Sequence, residues 1–291
     1  MTKTTLTGEH DDAFLREALH ALPLCIEHCE CPDHWHTLWA GLKATGLRRS
    51  LHDQGGFLST LLAPHRKARG RVMIAGAADT GSLEVLHAAL DDLPDGAQTR
   101  YEVIDRCEAP LRLVRERAHE LGLDLRTQHQ VLETVRASEP WDMVFIHYTL
   151  GFMSAPAREQ FLRHLRHDMA STGVVVCAVR EHTAPGANEA AHHLAHSLQR
   201  MAQQLRQTFA DHPALLEELM RRLPNYAAAR QQRQSQAGDF TQLMAEFDEA
   251  GFTVLEAHRN PGEHASDGPT KSSQGSVARW MAVLAIKRET L

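Results

Sequence analysis

No stretch of this chain is apolar and long enough to cross a bilayer, and its polar start, Met1-Thr-Lys-Thr-Thr5, lacks the pattern of a secretion signal. There is no long basic run and the formal net charge is -6, which argues against nucleic acid and membrane surfaces as partners. Cysteines are few and odd in number, five, so a reduced cytoplasmic protein is a better expectation than a disulfide framework. No internal repeat is evident. Hydrophobic residues still make up 43% of 291 positions, enough for a sizeable core, so disorder is excluded as the default. Histidine is abundant, with 20 copies; most read as surface residues that would make solubility pH-sensitive.

Up to about residue 68 the pattern is helical. Asp11 or Asp12 suits the cap of a segment with Phe14, Leu15, Ala18, Leu19 and Leu22 on one face. A second segment runs from about Asp33 through Trp35, Leu38, Trp39 and Leu42 to Gly46, and a third carries Phe57, Leu58, Leu61 and Leu62 to Pro64. From Arg71 the pattern alternates, with strands at 71–76, 100–105, 124–129, 142–147 and 173–179 and helices at 82–91, 109–121 and 156–170. Such alternation implies a parallel sheet covered by helices on both faces. It pauses over about 187–236, where Leu194, Leu198, Met201, Leu205 and Phe209, then Leu215, Leu216, Leu219 and Leu223, form helical stripes that would support a homodimer. A helix at Phe240–Ala250, a strand at Phe252–His258 and a last apolar run, Trp280–Ile286, follow. The expected division is a helical cap, 1–68, and an α/β domain, 69–291, carrying the helical insertion.

The most informative stretch is Arg71-Val-Met-Ile-Ala-Gly-Ala-Ala-Asp-Thr-Gly81. A strand, a tight turn of small residues and a helix present a nucleotide or nucleoside to a helix N-terminus. Gly76, Ala78 and Gly81 would let backbone approach such a ligand, since they carry little or no side chain. Ser82 follows Gly81 directly, so the lysine of a phosphate-binding loop is missing. Asp79 either meets a cofactor's ammonium or caps the next helix. The second strand ends in Asp105, whose carboxylate can accept from paired ribose hydroxyls. His147 and Tyr148 end the fourth strand on the edge where open α/β sheets bind ligands. His147 could act as a base or pack as a neutral donor. Arg180, Glu181 and His182 leave the fifth strand toward the same edge, and Arg180 could clamp a substrate carboxylate.

Taken in order, these parts resemble the class I S-adenosylmethionine-dependent methyltransferases. The turn after the first strand, Asp105, Trp141-Asp-Met-Val-Phe-Ile-His147, and Phe240 through Gly251-Phe-Thr-Val-Leu-Glu-Ala-His258 all fall where that family has its motifs. The resemblance implies a seven-stranded, mostly parallel, Rossmann-like sheet whose last strand is antiparallel. It also implies S-adenosyl-L-methionine as cofactor, with Gln130, Val131 and Leu132 at the adenine and Gly76, Ala78, Asp79, Gly81, Asp105 and His147 around the rest. His147, Tyr148 and Arg180 would then serve the chemistry on a small-molecule substrate. The pattern departs at Ile74, which stands where the family has an acid. This leaves open a non-methyl use of the cofactor, such as cyclisation of its aminobutyrate chain. Gly76-x-Ala78-x-x-Gly81 also admits an NAD-dependent oxidoreductase, and an idle fold serving as a scaffold is the third reading.

The segment Cys25-Ile-Glu-His28-Cys29-Glu-Cys31-Pro-Asp-His34-Trp-His36 raises a metal hypothesis, because zinc favours Cys and His. Its spacing matches no standard finger, and no second ligand pair stands at a suitable distance, so the expectation is no metal. Cys25 and Cys29, at helical spacing, read as small buried apolar residues. His192, His193 and His196 lack a matching carboxylate motif. Trp35 and Trp39 read as helix core rather than a substrate cage.

Overall fold

The structure, a computed structural model, describes residues 7–47, 51–54, 60, 62–65, 70–91, 99–181, 187–236, 240–260 and 279–287. Of the third amino-terminal helix, Phe57, Leu58 and Leu61 lie outside the described residues, and so does His182. The strands are β1 (Arg71–Ala75), β2 (Arg100–Asp105), β3 (Asp124–His129), β4 (Trp141–His147), β5 (Met169–Glu181), β6 (Phe252–Asn260) and β7 (Arg279–Lys287). The helices are α1 (Thr7–His28), α2 (Trp35–Ala44), α3 (Gly81–Asp91), α4 (Glu108–Leu121), α5 (Ala155–Asp168), α6 (Ala187–Thr208), α7 (Pro213–Gln236) and α8 (Phe240–Glu249).

Strands β1 to β5 run parallel in the order β3-β2-β1-β4-β5. Beyond this five-strand parallel sheet, β7 pairs antiparallel with β5 and β6 pairs antiparallel with β7. The chain moves outward from β1 to β3 and then returns to place β4 on the other side of β1. Such a reversal of direction opens a crevice at the carboxyl ends of the two central strands.

Period-two alternation explains how the sheet is covered. Val72, Ile74, Val103, Met143, Phe145 and Val176 point to one face, where Leu83, Leu86 and Leu90 of α3 and Leu111 and Val114 of α4 meet them. Met73, Ile104, Val144, Ile146 and Val175 point to the other, against Phe161, Leu162 and Leu165 of α5 and Phe247 of α8. Each such side chain, fully buried, contributes about 1.5–3 kcal/mol relative to exposure. Among these elements β3, at the sheet edge, alternates between half-buried and exposed residues, as its polar sequence Asp-Leu-Arg-Thr-Gln-His requires. Helix α4 ends where Gly122 takes a left-handed φ of 66°.

Two arrangements were not readable from periodicity. Glu102 in the middle of β2 is only 2% exposed, and it accepts hydrogen bonds from Arg71 Nη2 and Trp141 Nε1, each at 2.7 Å. This buried charge joins β1, β2 and β4 at their amino ends, away from the crevice. Second, α1 begins at Thr7, so Asp11 and Asp12 lie inside the helix rather than capping it. Helices α1 and α2 share one apolar cluster with α6 and α7, built on Leu22, Leu38, Leu42, Leu205, Phe209, Leu219 and Tyr226. The amino-terminal segment and the insertion thus make one helical layer.

Candidate functional site

The turn after β1 is shaped by one glycine. Gly76 has a φ of 79°, a region that L side chains rarely adopt, and its amide donates to Ile104 O at 2.8 Å. A Cβ added there would sit 2.6 Å from Thr149 Oγ1, which itself donates to Ala75 O at 2.6 Å. Thr149 therefore packs directly against the turn that follows β1. The small residue at 76 is needed for this packing and for the turn. Ala78 and Thr80, half-buried, form the outer part of the same turn, and Gly81 opens α3.

Asp105 closes the turn onto β2. Its carboxylate accepts from Ala77 N at 2.9 Å and from Cys107 N at 2.7 Å, and the residue is 9% exposed. Burial pushes this carboxyl above its ordinary value, while the neighbouring His36 and the two amides pull in the opposite direction. Each oxygen accepts one backbone bond here, which leaves a second lone-pair direction on each. Gln130 donates its backbone amide to Asp105 O at 2.9 Å and its side-chain amide to Thr134. Val131 beside it is 40% exposed, an unusual exposure for a large apolar side chain, whereas Leu132 is buried.

The end of β4 is strained. Tyr148 has a φ of 60° and donates its amide to Ala178 O at 2.7 Å, which fixes the chain across β5. Non-glycine residues held in this region cost about 1–3 kcal/mol and concentrate at functional sites. His147 and Tyr148 are half-buried with their rings 4.0 Å apart, and His147 stacks on Phe145. Arg180 lies on β5 in register with Trp280 of β7, at the same carboxyl end.

Asp79 is engaged by α2. Its Oδ2 accepts from Lys43 Nζ at 2.9 Å and Trp39 Nε1 at 3.0 Å, and its Oδ1 accepts from Gly81 N at 2.8 Å. Lys43 is buried and also meets Glu17 at 2.7 Å. Burial would raise the Asp79 carboxyl, but Lys43 and the hydrogen bonds hold it below the usual aspartate range. The cap contact of Asp79 is thus made, and the cation at its carboxylate is Lys43. Trp39 reaches this carboxylate, while Trp35 stacks on Trp39 and packs edge-on to Phe152 and against Tyr226. A cleft of about 260 Å³ lies between α1, α2 and the turn and is lined by Phe14, Lys43, Ala78, Asp79 and Thr80. Ile74, at the position of the missing acid, is buried in the sheet core.

Sequence reasoning did not connect Cys107 with the amino-terminal cysteines. Cys29, Cys31, His36 and Cys107 converge, each offering one ligand atom, and these atoms all lie within 4.8 Å of one another. Cys25 packs in the same apolar cluster as Cys31 and Cys107 but lies outside the converging group, whereas Cys29, read with it as a small buried apolar residue, is half-buried and belongs to that group. His196 is exposed on α6.

This sheet order, with the turn, the acid ending β2 and the antiparallel β7, defines the class I S-adenosylmethionine-dependent methyltransferase fold, and solved structures agree. The chain is similar to a methyltransferase from Clostridium acetobutylicum with a TM-score of 0.52 and 7% identity, over 85% of this chain and 96% of that one. It is similar to a methyltransferase from Leishmania major with a TM-score of 0.51 and 11% identity, over 92% and 82%. The N-methyltransferase NodS from Bradyrhizobium japonicum, in complex with S-adenosyl-L-homocysteine, gives 0.50 and 11% over 96% and 98%. At such low identity these likenesses show the fold alone and leave the site to be argued from its own residues. No protein-family model matches the sequence, and a search of curated proteins gives no match.

Proposed function

We propose that this chain is an S-adenosylmethionine-dependent methyltransferase acting on a small molecule. The observation that carries the reading is Asp105, tied by Ala77 N to the glycine turn and by Cys107 N to the start of α4, at the end of the strand where nucleoside-binding sheets hold ribose. The donor set suits the nucleoside half of the cofactor. Asp105 retains acceptor capacity, Ala78 to Thr80 of the turn are only half-buried, and the exposed Val131 offers an apolar surface beside Gln130 for the adenine. The aminobutyrate end fits less directly, because Ile74 is apolar and Asp79 already holds Lys43.

When bound, S-adenosylmethionine supplies an electrophilic methyl group on a sulfonium. The residues of this chain hold the acceptor and exclude water. His147 and Tyr148, at the reversal point of the sheet, orient the acceptor, and His147 takes its proton where the acceptor must lose one. Arg180, at the end of β5, pairs with an acidic group of the substrate. The helical layer of α1, α2, α6 and α7 excludes solvent, so alignment supplies most of the rate enhancement. No helix among the described residues is long and apolar enough to cross a membrane.

Calorimetric titration of S-adenosylmethionine into wild type and Asp105→Ala tests the cofactor assignment. Loss of at least about tenfold in affinity is expected, equivalent to one strong hydrogen bond to a charged group. Unchanged affinity in a folded variant rejects it. With cofactor saturating, His147→Ala should lose about 10²–10⁴-fold in turnover if the residue moves a proton. Mass spectrometry of the same mixtures identifies the product. Methylthioadenosine formed without any acceptor would move the reaction to the aminobutyrate chain.

A further inference from the structure

We propose that Cys29, Cys31, His36 and Cys107 form a closed, structural zinc site that fastens the amino-terminal helices to the cofactor edge of the sheet. No side chain of these four residues takes part in the proposed methyl transfer. They come from two separate parts of the chain: Cys29 and Cys31 from the connection between α1 and α2 with His36 from the first turn of α2, and Cys107 from the residue that precedes α4.

The spacing of the ligand atoms approaches that around a single tetrahedral ion. Cys29 Sγ and Cys31 Sγ lie 3.7 Å and 3.6 Å from His36 Nδ1. Zinc bonds of about 2.3 Å to sulfur and about 2.0–2.1 Å to nitrogen give tetrahedral edges of about 3.6 Å between S and N, and about 3.8 Å between sulfurs. The observed S–N distances already have this length. The widest separation in the group, at most 4.8 Å, requires a closure of about 1 Å to complete the tetrahedron.

The surroundings prepare the ligands. His36 Nε2 donates to Ala77 O at 3.1 Å; because a carbonyl only accepts, a hydrogen is on Nε2, and this bond turns Nδ1 toward the sulfurs. An outer hydrogen bond of this kind commonly orients a zinc-bound imidazole. Cys107 is the cap residue of α4, and its backbone amide donates to Asp105 Oδ1 at 2.7 Å, which fixes the position of its side chain. His34, between Cys31 and His36, takes a left-handed φ of 52° and donates its amide to Cys31 O at 2.8 Å. That bend folds the connection back so that three ligands face one point, a strained shape that metal binding would repay. Cys31, His36 and Cys107 are buried and Cys29 is half-buried, so four protein ligands leave no open position for a reacting water. The spacing fits no finger because the fourth ligand comes from the turn between β2 and α4, far along the chain.

The consequence for the fold is specific. Through His36 the ion would hold the turn at Ala77, and through Cys107 it would hold the strand end carrying Asp105.

The test uses the full chain, purified under reducing conditions from zinc-supplemented culture. Elemental analysis should find about one zinc per chain, and X-ray absorption at the zinc edge should show three sulfurs and one nitrogen. Cys31→Ser and Cys107→Ser should retain less than about a tenth of that zinc, whereas Cys25→Ala should retain all of it. Should the serine variants fail to fold, wild type stripped by a chelator and titrated with cobalt(II) decides; tetrahedral visible bands with thiolate charge-transfer absorption are expected. Folded, reduced wild type that neither carries zinc nor binds cobalt overturns the proposal. So does a zinc shell of oxygen and nitrogen only, or a disulfide among Cys29, Cys31 and Cys107 in freshly isolated protein.

Discussion

Gly76 shows how a single position can serve conformation and packing together. Its φ of 79° and the Thr149 hydroxyl 2.6 Å from where a Cβ would stand make alanine unfavourable for two separable reasons. Gly76→Ala should cost at least about 1–3 kcal/mol from backbone strain alone. The cost should fall, without vanishing, in a Thr149→Ala background, and urea unfolding of the four proteins measures both parts. An equal loss in either background would mean that Thr149 does not press on the turn. Asp79 was legible only as an acid with two possible partners. Lys43, which engages it, stands thirty-six positions away, and nothing in local spacing announces a contact between a helix and a distant turn. Glu102 was hidden for a related reason: an acid inside a strand reads as a solvent-facing residue until Arg71 and Trp141 are known to converge on it.

Strands and helices of the sheet were legible because burial imposes a period. Asp105 closes β2 and Gly122 follows α4, as turn chemistry and capping require. Boundaries moved most where polar residues extend an element, as in β5, which continues from Met169 to Glu181 along its partners. The stripes at Leu198 to Phe209 and Leu215 to Leu223 were read as helices, but their partner was not readable. A stripe reports that a face is covered and is silent about what covers it. Here the partners are α1 and α2. Leu205→Ala, which truncates a fully buried side chain of α6 in that cluster, should destabilise the protein by about 2–5 kcal/mol. Hydrogen exchange should show the loss concentrated in α1, α2, α6 and α7. Uniform loss across β1 to β5 as well would indicate that the layer and the sheet unfold as one unit. The convergence of Cys107 with Cys29, Cys31 and His36 was unreadable for the same reason, since it depends on how α1 lies along α4.

Across the molecule, the helical layer and the sheet meet in a charged contact with a defined pH range. Asp79, held below its ordinary value of 3.8, stabilises the fold above that pH, and the contribution is lost as pH falls through the lower folded value. Lys43 is shifted upward from 10.5: burial works against the ammonium, but Asp79 and Glu17 outweigh it. Its contribution is complete below that pH and is lost as pH rises through the folded value. The pair is therefore fully effective between about pH 4 and pH 10. Asp79→Asn should lower stability by about 1.5–3 kcal/mol at pH 7. Thermal melts at pH 7 and pH 3 should show the gap between wild type and variant narrowing at the lower pH. A gap that stays constant would show that the charge on Asp79 contributes nothing.

The shared cluster of α1 and α2 with α6 and α7 also bears on how the protein is made. Leu22 and Leu42 are synthesised early, yet the residues that cover them, Leu205 and Tyr226 among others, emerge only after the parallel strands. Until then the amino-terminal helices carry an uncovered apolar face on a growing chain. Contacts so distant in sequence form slowly, because a long loop must close before they give any return. The nascent protein is accordingly most exposed to aggregation between the synthesis of α2 and the docking of α7, the interval in which a holding chaperone would matter most.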